Sequence, residues 1–134
     1  ERAARAALAI ARRFAATHAQ RRRAGQDAVR LRIGLHQGVG KAALMGGGSW
    51  RTYTVVGDVV NMAKRVEQLG KRHQGADEAV IVLASEAVYA QLRTVPFTPL
   101  GREVLAGTER DMAIARIDPP AVAVAGGAWE VAEA

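Results

Sequence analysis

Apolar positions along this chain recur at two different spacings, and the changes from one to the other divide it into elements. In the first 24 residues Ala4, Leu8, Ala11, Phe14 and Ala15 return at helical intervals, with Arg2, Arg5, Arg12 and Arg13 around them, which predicts an amphipathic helix. The run Arg21-Arg22-Arg23 closes that helix where its dipole favours cations. Gly25 breaks the pattern, and residues 29–35 then alternate as a half-buried strand. A second short strand is expected at 42–45 and a third at 50–56, the latter rich in Thr52, Thr54, Val55 and Val56, residues that suit a pleated surface. Gly46-Gly47-Gly48 stands between them, where a hairpin turn belongs.

At Gly57-Asp58 the spacing becomes helical again, and Val59, Met62, Ala63, Val66 and Leu69 form an apolar stripe. Asp58 is the expected N-cap and Gly70 the expected stop. A strand over 79–83 follows, then a short helix capped by Ser85 with Val88 and Leu92 inside it. Pro96 and Pro99 mark a loop, and residues 103–105 and 112–117 make a closing hairpin. From Asp118 no period is visible, so 118–134 is expected to be a loosely structured tail. Residues 1–117 are expected to form one domain of mixed α/β class, an α+β sandwich with helices packed on a sheet.

Composition narrows the possibilities. A chain of 134 residues, 49% of them hydrophobic, supports one domain with one modest core. No apolar run approaches the ~18 residues of a membrane span, and no secretory signal pattern is present, so this segment is expected to make no membrane contact. The chain opens on Glu1, without an initiator Met or a helix cap, and is therefore expected to be a piece of something longer. The absence of Cys excludes disulfides, thiolate metal sites and Cys nucleophiles, and it permits a cytoplasmic location. A net charge of +6 would suit nucleic acid, but aromatics at 4% supply too few stacking platforms. No nucleic-acid partner is expected, and Arg21-Arg22-Arg23 is read as a solvated helix end.

Several motifs fail on inspection. Gly38-Val39-Gly40-Lys41 lacks the earlier Gly and the following Ser or Thr of a phosphate-binding P-loop, since Leu35 and Ala42 stand there. Gly47-Gly48-Ser49-Trp50-Arg51 has Arg where a nucleophile elbow needs Gly. His18, His36 and His73 are spread without metal-ligand spacing. His36 is expected to be structural and the other two exposed.

One stretch carries chemistry. Asn61 and Arg65 lie four residues apart on a predicted helix, so they share a face, and Thr54 sits in the strand that feeds that helix. A hydroxyl, an amide and a guanidinium could converge there. A guanidinium fork suits a crowded phosphate, and an amide offers both donor and acceptor to a sugar. The order of the segment says more. Arg32-Ile33-Gly34-Leu35-His36-Gln37-Gly38 is followed by Tyr53-Thr54-Val55-Val56-Gly57-Asp58-Val59-Val60-Asn61-Met62-Ala63-Lys64-Arg65-Val66-Glu67. This arrangement resembles the signature of class III adenylate and guanylate cyclases. Pro99-Leu100-Gly101-Arg102 and Val104-Leu105-Ala106-Gly107 resemble that family's closing hairpin.

The resemblance implies a ferredoxin-like cyclase fold whose first strand is missing from this chain. It also implies a reaction: ATP is converted to 3′,5′-cyclic AMP and pyrophosphate as its 3′-hydroxyl attacks its own α-phosphate. By resemblance Asn61 and Arg65 are the catalytic residues, Asn61 orienting the ribose and Arg65 stabilising charge on the α-phosphate. Thr54 joins them in nucleotide binding, at the purine-contacting position. Animal adenylyl cyclases carry Asp there, and a large bacterial-type branch carries Thr. Two Mg²⁺ or Mn²⁺ ions serve the reaction. Their aspartates belong to a strand and hairpin upstream, so no metal ligand is expected here and the fragment alone is expected to be inactive. The partners implied are ATP and a homodimer or paired cyclase domain, within a cytoplasmic protein or the cytoplasmic part of a larger sensor. Some positions depart from the family pattern. Where a Lys, sometimes an Arg, usually precedes the hairpin Gly, this chain has Ala106, leaving Arg102 and Arg110 as substitutes. Ala43 and Leu44 replace the usual Gly-Asn before Gly46. The alternative function is a non-catalytic cyclase-homology domain that binds nucleotide or a partner cyclase domain.

Overall fold

A computed structural model describes residues 1–107 and 109–119; the tail expected from 118 onward lies, beyond Pro119, outside the described residues. The elements are α1 (Arg2–Arg23), β1 (Leu31–Leu35), β2 (Lys41–Met45), β3 (Thr52–Val56), α2 (Asp58–His73), β4 (Val80–Ser85), α3 (Glu86–Tyr89), β5 (Phe97–Val104) and β6 (Asp111–Ile117). Four strands form one sheet in the order β1-β4-β6-β5, while β2 and β3 pair separately as an antiparallel ribbon. β1 and β4 run parallel, so α2 belongs to the crossover between them. β4 and β5 each run antiparallel to β6.

The core follows from β4. Its residues from Ile81 to Ser85 are all buried, as expected of a strand covered on both faces. Val82 and Ala84 face one layer with Ala4, Ala7, Leu8 and Ala11 of α1. Ile81 and Leu83 face the other with Met62, Val66 and Leu69 of α2. Small alanines let α1 lie close on the sheet, and burial of the two stripes holds the layers together at about 25 cal/mol per Å² of apolar surface.

Several local expectations are corrected. α2 runs on past Gly70 to His73. Gly70 is buried, and a β-carbon there would stand 2.8 Å from the Arg32 side chain. It permits close packing in mid-helix and does not end the helix. The N-cap is Gly57, at φ 141, and Asp58 is the first helical residue without a capping hydrogen bond. Ser85 likewise flanks α3 without a side-chain cap bond. β5 begins at Phe97 and crosses Pro99. It is an edge strand, and its register shifts between Pro99 and Gly101, a position and an irregularity that tolerate Pro. His18 is buried, and its Nδ1 donates to the Val29 carbonyl at 2.8 Å. His73 is half-buried and bonds the Glu103 carboxylate at 2.9 Å.

Candidate active site

Gly57 turns the chain from β3 into α2 at a φ that L side chains rarely adopt, so the two elements meet abruptly. Met62, Val66, Leu69 and Gly70 occupy the buried face of α2. Asn61 and Arg65 each precede a buried residue, which places them together at the border of that face. Asn61 is exposed and Arg65 half-buried. The Arg65 guanidinium reaches across to the β5–β6 turn, where Nη1 donates to the Ala106 carbonyl at 3.0 Å. Leu105, fully buried, packs into the cluster of Met62 and Val66 and so presses this turn against α2.

Thr54 is the centre of β3, opposite Ala43 of β2, and these two are the most covered residues of the ribbon. The structure thus brings Asn61 and Arg65 together on one helix face. Thr54 lies in the adjoining strand, and no hydrogen bond joins it to either among the described residues. A cavity of about 440 Å³ is lined by His36, Gly38, Ala42, Val55 and Val59, among others. It lies on the Val55 side of β3, and strand alternation turns Thr54 away from it.

The neighbouring charges are paired. Glu67 accepts bonds from Arg32 Nε and Lys64 Nζ, both at 2.9 Å. Burial works to raise its carboxyl pKa, but these cations outweigh it and hold the group below the ordinary range. Arg102 is pinned by Asp111 through Nε at 2.6 Å and Nη2 at 3.0 Å. That bonding keeps the Asp111 carboxyl low and raises the Arg102 guanidinium. Arg110 stands 3.7 Å from the Asp58 carboxylate, with both side chains mostly exposed. His36 meets Ser85 Oγ at 2.8 Å. Burial pushes its imidazole below 6.5, partly offset by the Asp58 charge. It ties β1 to β4, the structural part expected for it.

Among the described residues no group of three His, Asp or Glu side chains could hold a metal ion, and no helix is long and apolar enough to cross a membrane. The β2–β3 ribbon exposes Leu44, Tyr53 and Val55 on one face and Met45 and Val56 on the other.

Comparison with known proteins bears on the family and the fold. Adenylate cyclase 1 of Rhizobium meliloti (strain 1021) is 39% identical over 102 residues, covering 75% of this chain. The chain spans only 15% of that relative's length. The crystal structure of the adenylyl cyclase CyaB from P. aeruginosa matches with a TM-score of 0.67 at 23% identity, covering 84% of this chain and 55% of the other. That likeness supports the mixed α/β cyclase fold. Residues 1–113 match the family model described as the adenylate and guanylate cyclase catalytic domain, and the chain belongs to that family.

Proposed function

We propose that this chain supplies the ribose- and transition-state-facing part of a site that converts ATP to 3′,5′-cyclic AMP and pyrophosphate. The observation that carries this reading is the pairing of Asn61 with an Arg65 guanidinium already held in place by the Ala106 carbonyl. The name of the Rhizobium relative adds support for ATP as substrate.

In the reaction a bond forms from the ribose 3′-oxygen to the α-phosphorus, the bond to pyrophosphate breaks, and the 3′-hydroxyl gives up its proton to solvent. Asn61 orients the ribose through its amide. Arg65 spends one N–H on Ala106 and turns others of its five donors toward charge that builds on the α-phosphate. Thr54 contacts the purine. The two Mg²⁺ or Mn²⁺ ions that the family implies do not fit the described residues, because Asp58, the acidic group nearest Asn61 on α2, faces Arg110. Their ligands are proposed to lie outside this chain. A second copy or a paired cyclase domain, seated on the exposed apolar ribbon, completes the site, and the assembly is placed in the cytoplasm.

The test is steady-state kinetics on the full-length gene product with ATP and GTP in competition. ATP should be preferred. Arg65→Ala should lower kcat by roughly a hundredfold, since such a donor is worth about 3 kcal/mol in the transition state, with a smaller change in KM. Arg65→Lys should rescue poorly, because an ammonium lacks the planar fork. A rate within a few-fold of wild type for Arg65→Ala would remove Arg65 from the site.

A further inference from the structure

We propose that the outward face of α1 is a docking strip for an acidic polypeptide segment. The helix carries seven of the chain's 19 Lys and Arg residues, all seven of them Arg, and none of its 13 Asp and Glu. The remainder, twelve cations against thirteen acids, is close to neutral. The net charge of +6 therefore belongs to one helix. A chain rich in Arg throughout would carry its charge everywhere, and this one does not.

Packing fixes which way these side chains point. Ala4, Ala7, Leu8, Ala11 and His18 are buried, so Arg2 and Arg13, about three turns and 16 Å apart, stand on the opposite side of the helix. Arg5, Arg12 and Arg23 form a second row beside them, at intervals of about two and three turns. All five are exposed. Arg5 is engaged, standing 3.8 Å from the Glu1 carboxylate and donating to the Thr94 hydroxyl at 2.8 Å. Arg2, Arg13 and Arg23 make no ion pair among the described residues. α1 also covers the face of the sheet opposite to α2, so this strip is separate from Asn61 and Arg65.

The width of the strip selects the partner. A helix with its side chains is about 10 Å across, and acids border this one. Glu1 precedes it, Asp77 stands 3.6 Å from Arg22, and Glu78 shares with Arg12 the wall of a small cavity between α1 and the sheet. A nucleic-acid duplex or a bilayer is broader than the strip and would meet those carboxylates as well. A bilayer also needs apolar side chains to insert. Leu8 is committed to the core, and Ile10 is the one large apolar side chain that α1 exposes. A single acidic segment matches the strip in width and sign, and its carboxylates take the two-pronged contact that a guanidinium offers.

The experiment measures binding of poly-L-glutamate to the 134-residue chain by calorimetry. The salt is about 0.15 M, where attraction between exposed charges is screened beyond about 8 Å. Circular dichroism confirms that each variant is folded. An exposed ion pair is worth up to about fivefold in affinity, so Arg2→Gln, Arg13→Gln and Arg23→Gln together should weaken binding by roughly tenfold or more. A control that removes the same charge elsewhere, Lys41→Gln with Arg51→Gln and Lys71→Gln, should leave it nearly unchanged. A short DNA duplex and phosphatidylglycerol vesicles, titrated at matched charge, should bind more weakly than poly-L-glutamate. Failure of the wild-type chain to bind poly-L-glutamate would overturn the inference. So would an equal loss in the control, which would mean diffuse attraction. Tighter binding of the duplex or the vesicles, lost in the α1 variant, would assign the face to phosphate and overturn it too.

Discussion

Gly34 lies at the point where α2 and the sheet come closest, and replacing it with Ala tests how firmly the helix is held. A β-carbon on Gly34 would stand 2.4 Å from the Glu67 amide nitrogen and 2.6 Å from the Ala63 carbonyl oxygen. Those two atoms are partners in one helical hydrogen bond, so the methyl would be driven into helix backbone. No rotamer change can relieve that. Restoring an ordinary separation of about 3.4 Å requires roughly 1 Å of movement between α2 and β1. Overpacking of this kind costs about 1–3 kcal/mol, and contact with backbone puts Gly34→Ala at the upper end. At about 4 °C per kcal/mol for a domain of this size, Tm should fall by roughly 10 °C. Thermal unfolding followed by circular dichroism measures it, with Gly47→Ala as the control because nothing lies within 4 Å of its added carbon. The same displacement carries Asn61 and Arg65, and misplacement by about 1 Å can cost on the order of a hundredfold in rate. A Gly34→Ala chain that melts with the wild type would refute the packing argument.

Other outcomes follow from single contacts. The Glu1 carboxyl sits at about 2, below its ordinary 4.5, because it accepts bonds from the Thr94 hydroxyl and the Arg93 and Thr94 amides. Its folded pKa is depressed, so its stabilisation is complete above 4.5 and is lost as pH falls toward 2; Glu1→Gln should flatten urea stability over that window. Burial depresses the His36 imidazole below 6.5, so folding favours the neutral ring and stability should decline as pH drops below 6.5. His36→Gln, which can still bond Ser85, should remove that dependence in the same urea titration. Tyr53 is 81% exposed beside Leu44 on the ribbon. Tyr53→Lys should leave Tm unchanged and shift the full-length protein toward monomer in analytical ultracentrifugation, and an unchanged dimer would exclude this surface as the contact.

The helices and strands were readable where periodicity was strong. α1, β1, β3 and α2 fall close to where spacing puts them, and Asn61 and Arg65 share a face because helical geometry leaves no other arrangement. Misreadings arose where tertiary neighbours overrule local chemistry. Gly70 looks like a stop until Arg32 and Ile81 are packed against it, and Pro99 looks like a loop until β5 proves to be an edge strand. His18 is polar and single, and nothing local says that the Val29 carbonyl awaits it. A glycine inside a strand pattern does signal a close approach, so the role of Gly34 was available in principle. The Arg65 anchor was not, since the bond to Ala106 spans 41 positions.

That span also bears on the order in which the site can form. The Arg65–Ala106 bond closes a loop that encloses part of α2, all of β4 and α3, and β5. Contacts between distant positions must offset loop-closure entropy before they stabilise anything. On a ribosome, α2 emerges well before the turn that supplies the carbonyl. Helix formation alone therefore leaves the guanidinium untethered, and its anchor arrives only when the β5–β6 hairpin docks through Leu105. Formation of the Arg65–Ala106 anchor is therefore a late event in folding, and local unfolding at the hairpin removes it while α2 remains helical.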